Sequence, residues 1–82
     1  MSAKWTRDER FIVCAYEATL RTGDLNTILD RYDIGKQSGI TEKGVNAIGK
    51  LLMQANFIKL IGKTDMQLTK HGESLAQRLL QE

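Results

Sequence analysis

Residues 31–50 read RYDIGKQSGITEKGVNAIGK, and this stretch predicts two short helices joined by a tight turn. Ile34, Val45 and Ile48 have the spacing of side chains that face the space between two such helices. Gly35 has no Cβ atom, so the second helix could cross close to the first at this residue. We therefore expect the fold to be organised around this pair of helices.

The turn between the two helices has a suitable residue at each step. Gly39 readily takes a positive φ, which would end the first helix, and Ile40 would then place an apolar side chain in the core. Thr41 is a suitable N-cap for the second helix, and Glu42 would lie at the positive end of its dipole. The second helix is predicted over residues 42–55, with a buried face made of Val45, Ile48, Leu51, Leu52 and Ala55.

The spacing in this stretch resembles the helix-turn-helix of DNA-binding proteins. The resemblance covers Ile34, Gly35, Gly39, Ile40, Val45 and Ile48. It departs at Ser38, where that family prefers an apolar residue.

The segment before this pair contains one clear helix and one ambiguous stretch. Thr6 and Glu9 form the S/T-x-x-E pattern of a capping box, which predicts a helix from about residue 7, and Gly23 offers its end. Residues 24–38 are compatible with one kinked helix or with two short helices that meet near residues 32–33. We favour two helices, because Asp33 resembles a fresh N-cap. Leu25, Ile28 and Leu29 would then share a face of the earlier one, which Asp24 would cap.

From residue 57 onward the pattern becomes that of a β-hairpin. FIKLI is rich in β-forming residues, GKTD is a turn and MQL is a short strand, which puts the hairpin tip at residues 62–65. Asn56 is suited to end the preceding helix at positive φ, and Thr69 to cap a last helix. The apolar face of that last helix is Leu75, Ala76, Leu79 and Leu80.

Three helices, a hairpin and the LT-x-x-G sequence at residues 68–72 are together similar to a winged helix-turn-helix domain. The segment 51–72, LLMQANFIKLIGKTDMQLTKHG, resembles the wing region of MarR-like transcriptional regulators, with Asn56 where a glycine is more usual. The resemblance extends over about residues 25–80. It implies one mainly α domain with a small β-hairpin, built from a three-helix core, a wing and a C-terminal helix.

The resemblance also implies a DNA-binding surface. The recognition helix would be residues 42–55 in the major groove, and the wing, residues 57–68, would lie on the flanking backbone. Side chains facing the bases would be Glu42, Lys43, Asn46 and Ala47, with Thr41 and Lys50 on phosphates and Lys63 and Thr64 on a flanking phosphate or the minor groove. Asn46 is suited to adenine and Lys43 to guanine, whereas Glu42 would repel phosphate unless it accepts from cytosine N4.

The distribution of charge agrees with this placement. The chain of 82 residues has a formal net charge of only +2, but residues 41–63 carry +3 and the remainder −1. The excess comes from Lys43, Lys50, Lys59 and Lys63 against Glu42 alone. A surface that contacts DNA needs positive charge in this region.

Composition and motif content argue against several other functions. An apolar fraction of 41%, a charged fraction of 27%, no long apolar run and no apolar signal region predict a single domain that acts in the cytoplasm, away from membranes. One cysteine, Cys14, cannot form an internal disulfide and is expected in the core, and His71 is expected on the surface. One histidine and one cysteine make no metal or catalytic constellation, so we expect neither enzyme activity nor a cofactor.

Two functional hypotheses follow from the sequence. The first is a small sequence-specific regulator of transcription that binds double-stranded DNA, with a homodimer whose contacts involve Trp5, Leu75, Leu79 and Leu80. The second is a winged-helix module that binds another protein in a transcription or replication assembly, through exposed residues such as Met53 or Trp5, without direct contact to DNA.

Overall fold

Four helices and three short strands follow one another in the computed structural model, which describes residues 5–24 and 26–82. In chain order they are α1 (Arg7–Thr22), β1 (Leu29–Asp30), α2 (Arg31–Gln37), α3 (Glu42–Gln54), β2 (Ile58–Ile61), β3 (Asp65–Leu68) and α4 (Lys70–Gln81). The Cα radius of gyration is 11.3 Å, close to the ~12 Å of a compact domain of this length. The protein is a compact, mainly helical domain with a small antiparallel sheet.

The predicted ends of α1 are confirmed. The Thr6 hydroxyl accepts from the backbone N–H of Glu9, and the Glu9 carboxylate accepts from the backbone N–H of Thr6 at 2.9 Å. This reciprocal capping box satisfies two N–H groups that would otherwise lack partners. At the other end Gly23 takes the left-handed conformation, with φ of 79°.

The close pair of helices predicted from residues 31–50 is confirmed as α2 and α3. A Cβ atom added to Gly35 would lie 2.2 Å from Cγ2 of Val45, so the helices cross where a side chain is missing. Gly39 has φ of 75°, Ile40 is buried, and the Thr41 hydroxyl accepts from the backbone N–H of Gly44 at 3.2 Å. The turn therefore forms in the way that its residues predict.

Ser38, which departs from the helix-turn-helix pattern, is buried despite its polar side chain. It is 8% exposed, and its hydroxyl donates to the carbonyl of Ile34 at 2.7 Å. A buried hydroxyl is tolerated when it has a hydrogen-bond partner. The bond to the preceding turn of α2 explains how a serine side chain is accommodated in this buried position.

The prediction of a separate helix over residues 24–32 is wrong. Asp24 accepts from the backbone N–H of Asn26 at 2.8 Å in a turn, and Leu29 and Asp30 form β1. Asp30, not Asp33, is the N-cap of α2, since its carboxylate accepts from the N–H groups of Tyr32 at 2.9 Å and Asp33 at 3.2 Å. Leu25, placed on a helix face by the sequence, lies outside the described residues.

The predicted hairpin is confirmed as β2 and β3, and β1 adds a third strand that the sequence did not reveal. The strand order is β1-β3-β2, with both pairings antiparallel. Leu29 pairs with Met66, and Ile58 pairs with Leu68 across the hairpin. Residues 62–64 form the turn, where Gly62 has φ of 57°. The sheet thus ties the start of α2 to the hairpin.

Two residues predicted on the buried face of α3 are exposed. Leu51 is 59% exposed and Ala55 is also exposed, whereas Val45, Ile48 and Leu52 are buried as predicted. The buried stripe continues through Gly49, where Cδ2 of Leu60 lies 3.7 Å from the position that a Cβ would take. Because β2 covers α3 on the Gly49 side, the side carrying Leu51 is left open to solvent.

The last helix closes the core. Thr69 caps α4 by accepting from the backbone N–H of Gly72 at 3.0 Å, as predicted, and Asn56 before the hairpin has φ of 65°. Buried side chains from every helix form one core, whose largest fully buried members are Phe11, Ile12, Ile34, Val45, Ile58 and Met66. In the described part of the chain, no helix is long and apolar enough to cross a membrane.

Candidate nucleic-acid interface

One face of α3 is exposed along most of the helix and carries four of the residues predicted to contact DNA, three of them at bases and Lys50 at phosphate. Lys43, Asn46, Ala47 and Lys50 are all exposed, and their spacing of three, four and seven residues places them on one side of the helix. Val45, Ile48 and Leu52 hold the opposite side in the core. The structure therefore brings these four predicted residues together on a single outward-facing surface.

The N-terminal end of α3 adds the exposed residues Thr41 and Glu42. The Thr41 hydroxyl is already used as an acceptor in the helix cap, so its proton remains available to an outside acceptor. Glu42 lies in the first turn, where the helix dipole favours a carboxylate. Nη1 of Arg7 lies 3.6 Å from the position that a Cβ of Gly44 would take, so α1 supplies a further cation to this end. Sequence reasoning missed Arg7, because it precedes α3 by thirty-five positions.

Asn46 is held by a residue of α2. The Tyr32 hydroxyl donates to Oδ1 of Asn46 at 2.5 Å. Tyr32 itself is half-buried and packs against the core. The amide of Asn46 therefore has a fixed partner on one side, while the residue remains exposed on the other.

The turn between β2 and β3 is held by Arg31. Its backbone N–H donates to the carbonyl of Thr64 at 2.8 Å, and its guanidinium donates to the carbonyls of Asp65, at 2.7 Å, and Lys63. Lys63 and Thr64 remain exposed at the tip. The bonds to Arg31 involve only their backbone, and the Thr64 hydroxyl makes a long bond of 3.4 Å to Oδ1 of Asp65. Both side chains therefore face solvent, where an outside partner could reach them.

Arg31 was not a candidate in the sequence, and its burial could not be anticipated from periodicity. It is 9% exposed, and arginine is rarely buried without partners. Its guanidinium donates to backbone carbonyls in the β2–β3 turn and at the first residue of β3, more than thirty residues away. The sequence around Arg31 does not indicate these partners. The Arg31 guanidinium binds carbonyls at the turn and is largely buried, whereas Lys43, Lys50 and Lys63 are exposed to solvent.

No known protein family, curated protein or solved structure matched this chain in the comparisons made. The candidate interface joins an exposed basic helix face to an exposed basic turn through two consecutive residues, Arg31 and Tyr32.

The four residues predicted as dimer contacts differ in exposure. Leu79 is 5% exposed and belongs to the core of its own chain, and Leu75 is partly buried against that core. Leu80 is 42% exposed, and Trp5 is half-buried beside α1. A contact between two copies through this region would therefore use Leu80 and the outer parts of Trp5 and Leu75.

A cleft of about 490 Å³ lies between α1 and the turn that follows α2, and the sequence had not indicated it. It is lined by Trp5, Arg10, Val13, Cys14, Glu17, Gln37, Ser38 and Gly39. Burial, with a smaller contribution from the nearby Glu17 carboxylate, raises the pKa of the Cys14 thiol. Cys14 is partly buried against the core, in keeping with its predicted role as a small packing residue.

His71 is exposed as predicted, and its ring stacks on Phe57. The two ring centres are 4.7 Å apart and the planes differ by 7°. Within residues 5–24 and 26–82, no three side chains of the metal-binding types come together. The histidine packs at the start of α4, beside the C-terminal end of α3.

Proposed function

We propose that this protein is a winged helix-turn-helix domain that binds double-stranded DNA and acts as a sequence-specific transcriptional regulator. In this proposal α2 and α3 are the helix-turn-helix, α3 enters the major groove, and the β2–β3 hairpin is the wing on the flanking backbone. The element order, the third strand beside the hairpin and the close crossing at Gly35 support this assignment.

The observation that carries the proposal is the way the start of α2 connects the two basic surfaces. Arg31 holds the turn bearing Lys63 and Thr64, and Tyr32 holds Asn46 on α3. An exposed helix face and an exposed turn that share one support are suited to contact one duplex together. Lysines outside such an arrangement would be read as an ordinary solvated surface.

Each exposed residue has a specific role in this proposal. Asn46 reads adenine, Lys43 reads guanine and Ala47 contacts a thymine methyl group. Thr41, Lys50, Lys63 and Thr64 contact phosphates and set the position of the helix. Glu42 avoids the phosphates and accepts from cytosine N4, which makes it a selective contact.

A homodimer would double the few base contacts that one α3 offers. Two copies related by a twofold axis would bind two DNA half-sites whose centres are about 10 base pairs apart. Leu80 is the exposed apolar residue of α4 suited to such a contact. Sedimentation of the wild type and of Leu80→Glu tests this: a dimer that becomes a monomer in the variant supports it, and a monomeric wild type at all concentrations contradicts it.

Alanine substitutions test the DNA-binding function directly. Lys43→Ala and Asn46→Ala should lose about tenfold or more in preference for a selected duplex, because each removes a base contact. Lys63→Ala should weaken binding to every duplex and lower the salt slope by about one, because it removes a phosphate contact. Binding is measured by fluorescence anisotropy over a range of salt concentrations.

Lys70→Ala is the matched control, because it removes the same charge at a different place. Lys70 is exposed at the start of α4, where Thr69 bonds to the carbonyl of Asn56 beyond the C-terminal end of α3. Lys70 therefore lies near the C-terminal end of α3, whereas Lys43 lies in the first turn of that helix. Equal losses of DNA affinity in Lys70→Ala and Lys43→Ala would contradict the assignment of the interface. Unchanged affinity in Lys43→Ala, Asn46→Ala and Lys63→Ala would contradict it as well.

A second candidate function is binding to another protein, and the exposed apolar side chains near the same surface favour it. Leu51 is 59%, Met53 40% and Ile61 36% exposed. An apolar residue within the exposed face of α3 is better suited to a protein partner than to phosphates. Partner capture that is lost in Leu51→Ser or Met53→Ser and kept in Lys43→Ala would favour this function over DNA binding.

A further inference from the structure

The first two residues of α2 make side-chain contacts that link both halves of the proposed DNA-binding surface. The Arg31 guanidinium donates to the carbonyls of Lys63 in the β2–β3 turn and Asp65 at the start of β3, and its backbone N–H donates to that of Thr64. Tyr32 makes one hydrogen bond, from its hydroxyl to Oδ1 of Asn46 on α3. Consecutive residues therefore reach two separate elements, one on each side of the start of α2.

These two side chains also support each other. The Arg31 guanidinium carbon lies 5.5 Å from the centre of the Tyr32 ring, within the range of a cation–π contact. Arg31 is 9% exposed and Tyr32 is half-buried. Buried and half-buried side chains have fewer accessible rotamers than exposed ones, so they hold their hydrogen-bond partners more firmly in one geometry.

We propose that Arg31 and Tyr32 are positioning residues for DNA recognition. Tyr32 fixes the position of the Asn46 amide, and Arg31 fixes the position of the β2–β3 turn relative to α2. This proposal rests on the DNA-binding function proposed above. Neither residue needs to touch DNA. Each acts through another residue, Tyr32 through Asn46 and Arg31 through Lys63 and Thr64.

Tyr32 acts on base selectivity because its hydrogen bond restricts the position of the Asn46 amide. The amide oxygen accepts and the amide nitrogen donates, and recognition of adenine needs the two ends in a fixed order. The Tyr32 hydroxyl donates to Oδ1, and it would accept from the amide nitrogen if the two ends were exchanged, so it fixes the place of the amide while the base sets the order of its ends. The second lone pair of Oδ1 and both N–H groups stay available for a base.

Arg31 acts on backbone contacts because the turn is its hydrogen-bond partner. A planar guanidinium donates to two carbonyls at once, which a lysine ammonium at the end of a flexible stem does not reproduce. The carbonyls belong to Lys63 and Asp65, on either side of Thr64. In Arg31→Lys this two-pronged contact is lost and the turn is held less firmly, while the backbone bond to Thr64 and the formal charge remain.

The test of Tyr32 begins with a duplex selected by the wild-type protein from a pool with a randomised central segment. Tyr32→Phe removes only the hydroxyl. We expect it to lose about tenfold in preference for the selected base pair opposite Asn46 over its single-pair replacements. Its affinity for unselected duplexes should be unchanged, because the phosphate contacts remain.

Tyr16→Phe is the matched control, and a double-mutant cycle separates positioning from general stability. The Tyr16 hydroxyl also makes one side-chain bond, accepting from Nε2 of Gln77 at 3.2 Å, but between α1 and α4. Tyr16→Phe should keep the full base preference. In an Asn46→Ala background, Tyr32→Phe should have no further effect on preference, since the residue it acts through is gone. A preference retained in Tyr32→Phe, or a loss that persists without Asn46, would overturn the role of Tyr32.

The test of Arg31 uses Arg31→Lys, with Arg21→Lys as control. Arg21 is exposed on α1 and donates to Oε1 of Gln37 at 3.4 Å, away from the turn. Arg31→Lys should weaken binding to all duplexes by one factor and lower the salt slope by about one, as loss of the Lys63 contact would. Base preference should be kept. A wild-type salt slope in Arg31→Lys, with folding confirmed by thermal denaturation, would overturn the role of Arg31.

The outcomes distinguish this inference from the function on which it rests. If the wild type enriches no duplex and binds none at low salt, both the function and the inference fail. If the wild type selects a duplex and loses it in Lys43→Ala, but Tyr32→Phe and Arg31→Lys match their controls, the function stands and the inference fails. Loss of base preference in the first variant and of salt slope in the second supports the inference.

Discussion

Gly35 is the residue on which the close approach of α2 and α3 depends. In Gly35→Ala the added methyl group would lie 2.2 Å from Cγ2 of Val45, a buried side chain, so the helices must move apart. We expect the free energy of unfolding to fall by about 1–3 kcal/mol, as in other overpacked cores. Urea denaturation followed by circular dichroism measures it.

Gly49→Ala is the matched control for this prediction. Gly49 is also inside a helix, but the nearest atom to its added Cβ is 3.7 Å away, an ordinary van der Waals contact. The substitution should leave stability unchanged or raise it by up to ~1 kcal/mol, because alanine favours a helix more than glycine does. Equal losses in the two variants would contradict the account of the crossing.

Cys14 should react slowly with alkylating reagents. Its raised pKa means that less of the thiol is ionised at a given pH, and only the thiolate reacts. The rate of iodoacetamide reaction in the folded protein should therefore rise with pH around a midpoint above that of the urea-unfolded chain. Mass spectrometry of the quenched reaction gives both midpoints, and a lower midpoint in the folded protein would show the sign to be wrong.

For individual residues, the sequence predicted those roles that depend on the residue itself and its neighbours in the chain. The roles of Gly39 and Asn56 followed from positive φ angles that few residues tolerate, and the role of Gly35 followed from its missing Cβ atom. The exposure of Leu51 did not follow, because it depends on where β2 places Leu60 against Gly49. The contact between Tyr32 and Asn46 crosses from one helix to another and has no signature in the spacing of apolar residues.

At the scale of elements, the start of α2 was the least predictable boundary. Asp30 and Asp33 are both suitable N-caps, and local preference does not choose between them. Pairing of Leu29 and Asp30 with β3 keeps the backbone extended up to Asp30 and so selects it. That pairing joins residues more than thirty positions apart, which explains why β1 escaped detection.

This choice of cap predicts different effects for the two aspartates. Asp30→Ala should lower the free energy of unfolding by about 1 kcal/mol, since its carboxylate accepts two backbone N–H groups. Asp33→Ala should change it little, because Asp33 is exposed and, among the residues that the structure describes, its side chain accepts one long bond, from Gln37 at 3.4 Å. Thermal denaturation of both variants measures the difference, and a larger effect at Asp33 would contradict the observed start of α2.

For the whole molecule, the sequence predicted the mainly helical domain and its hairpin because most elements carry their own start and stop signals. Thr6, Thr41 and Thr69 each cap a helix in the structure as expected. The third strand and the buried Arg31 arise only when distant segments meet. The sequence thus located the exposed residues of the candidate site but not Arg31 and Tyr32, which bond to the turn and to Asn46.

The proposed DNA-binding surface consists of the exposed face of α3 and the β2–β3 turn. The most direct test is an NMR titration of the ¹⁵N-labelled protein with a mixed-sequence duplex, at low and at moderate salt. The account predicts shifts concentrated at residues 41–50 and 63–64 that weaken as salt rises, since phosphate contacts release counterions. An unchanged spectrum at low salt would contradict it, because even non-specific binding should be visible there.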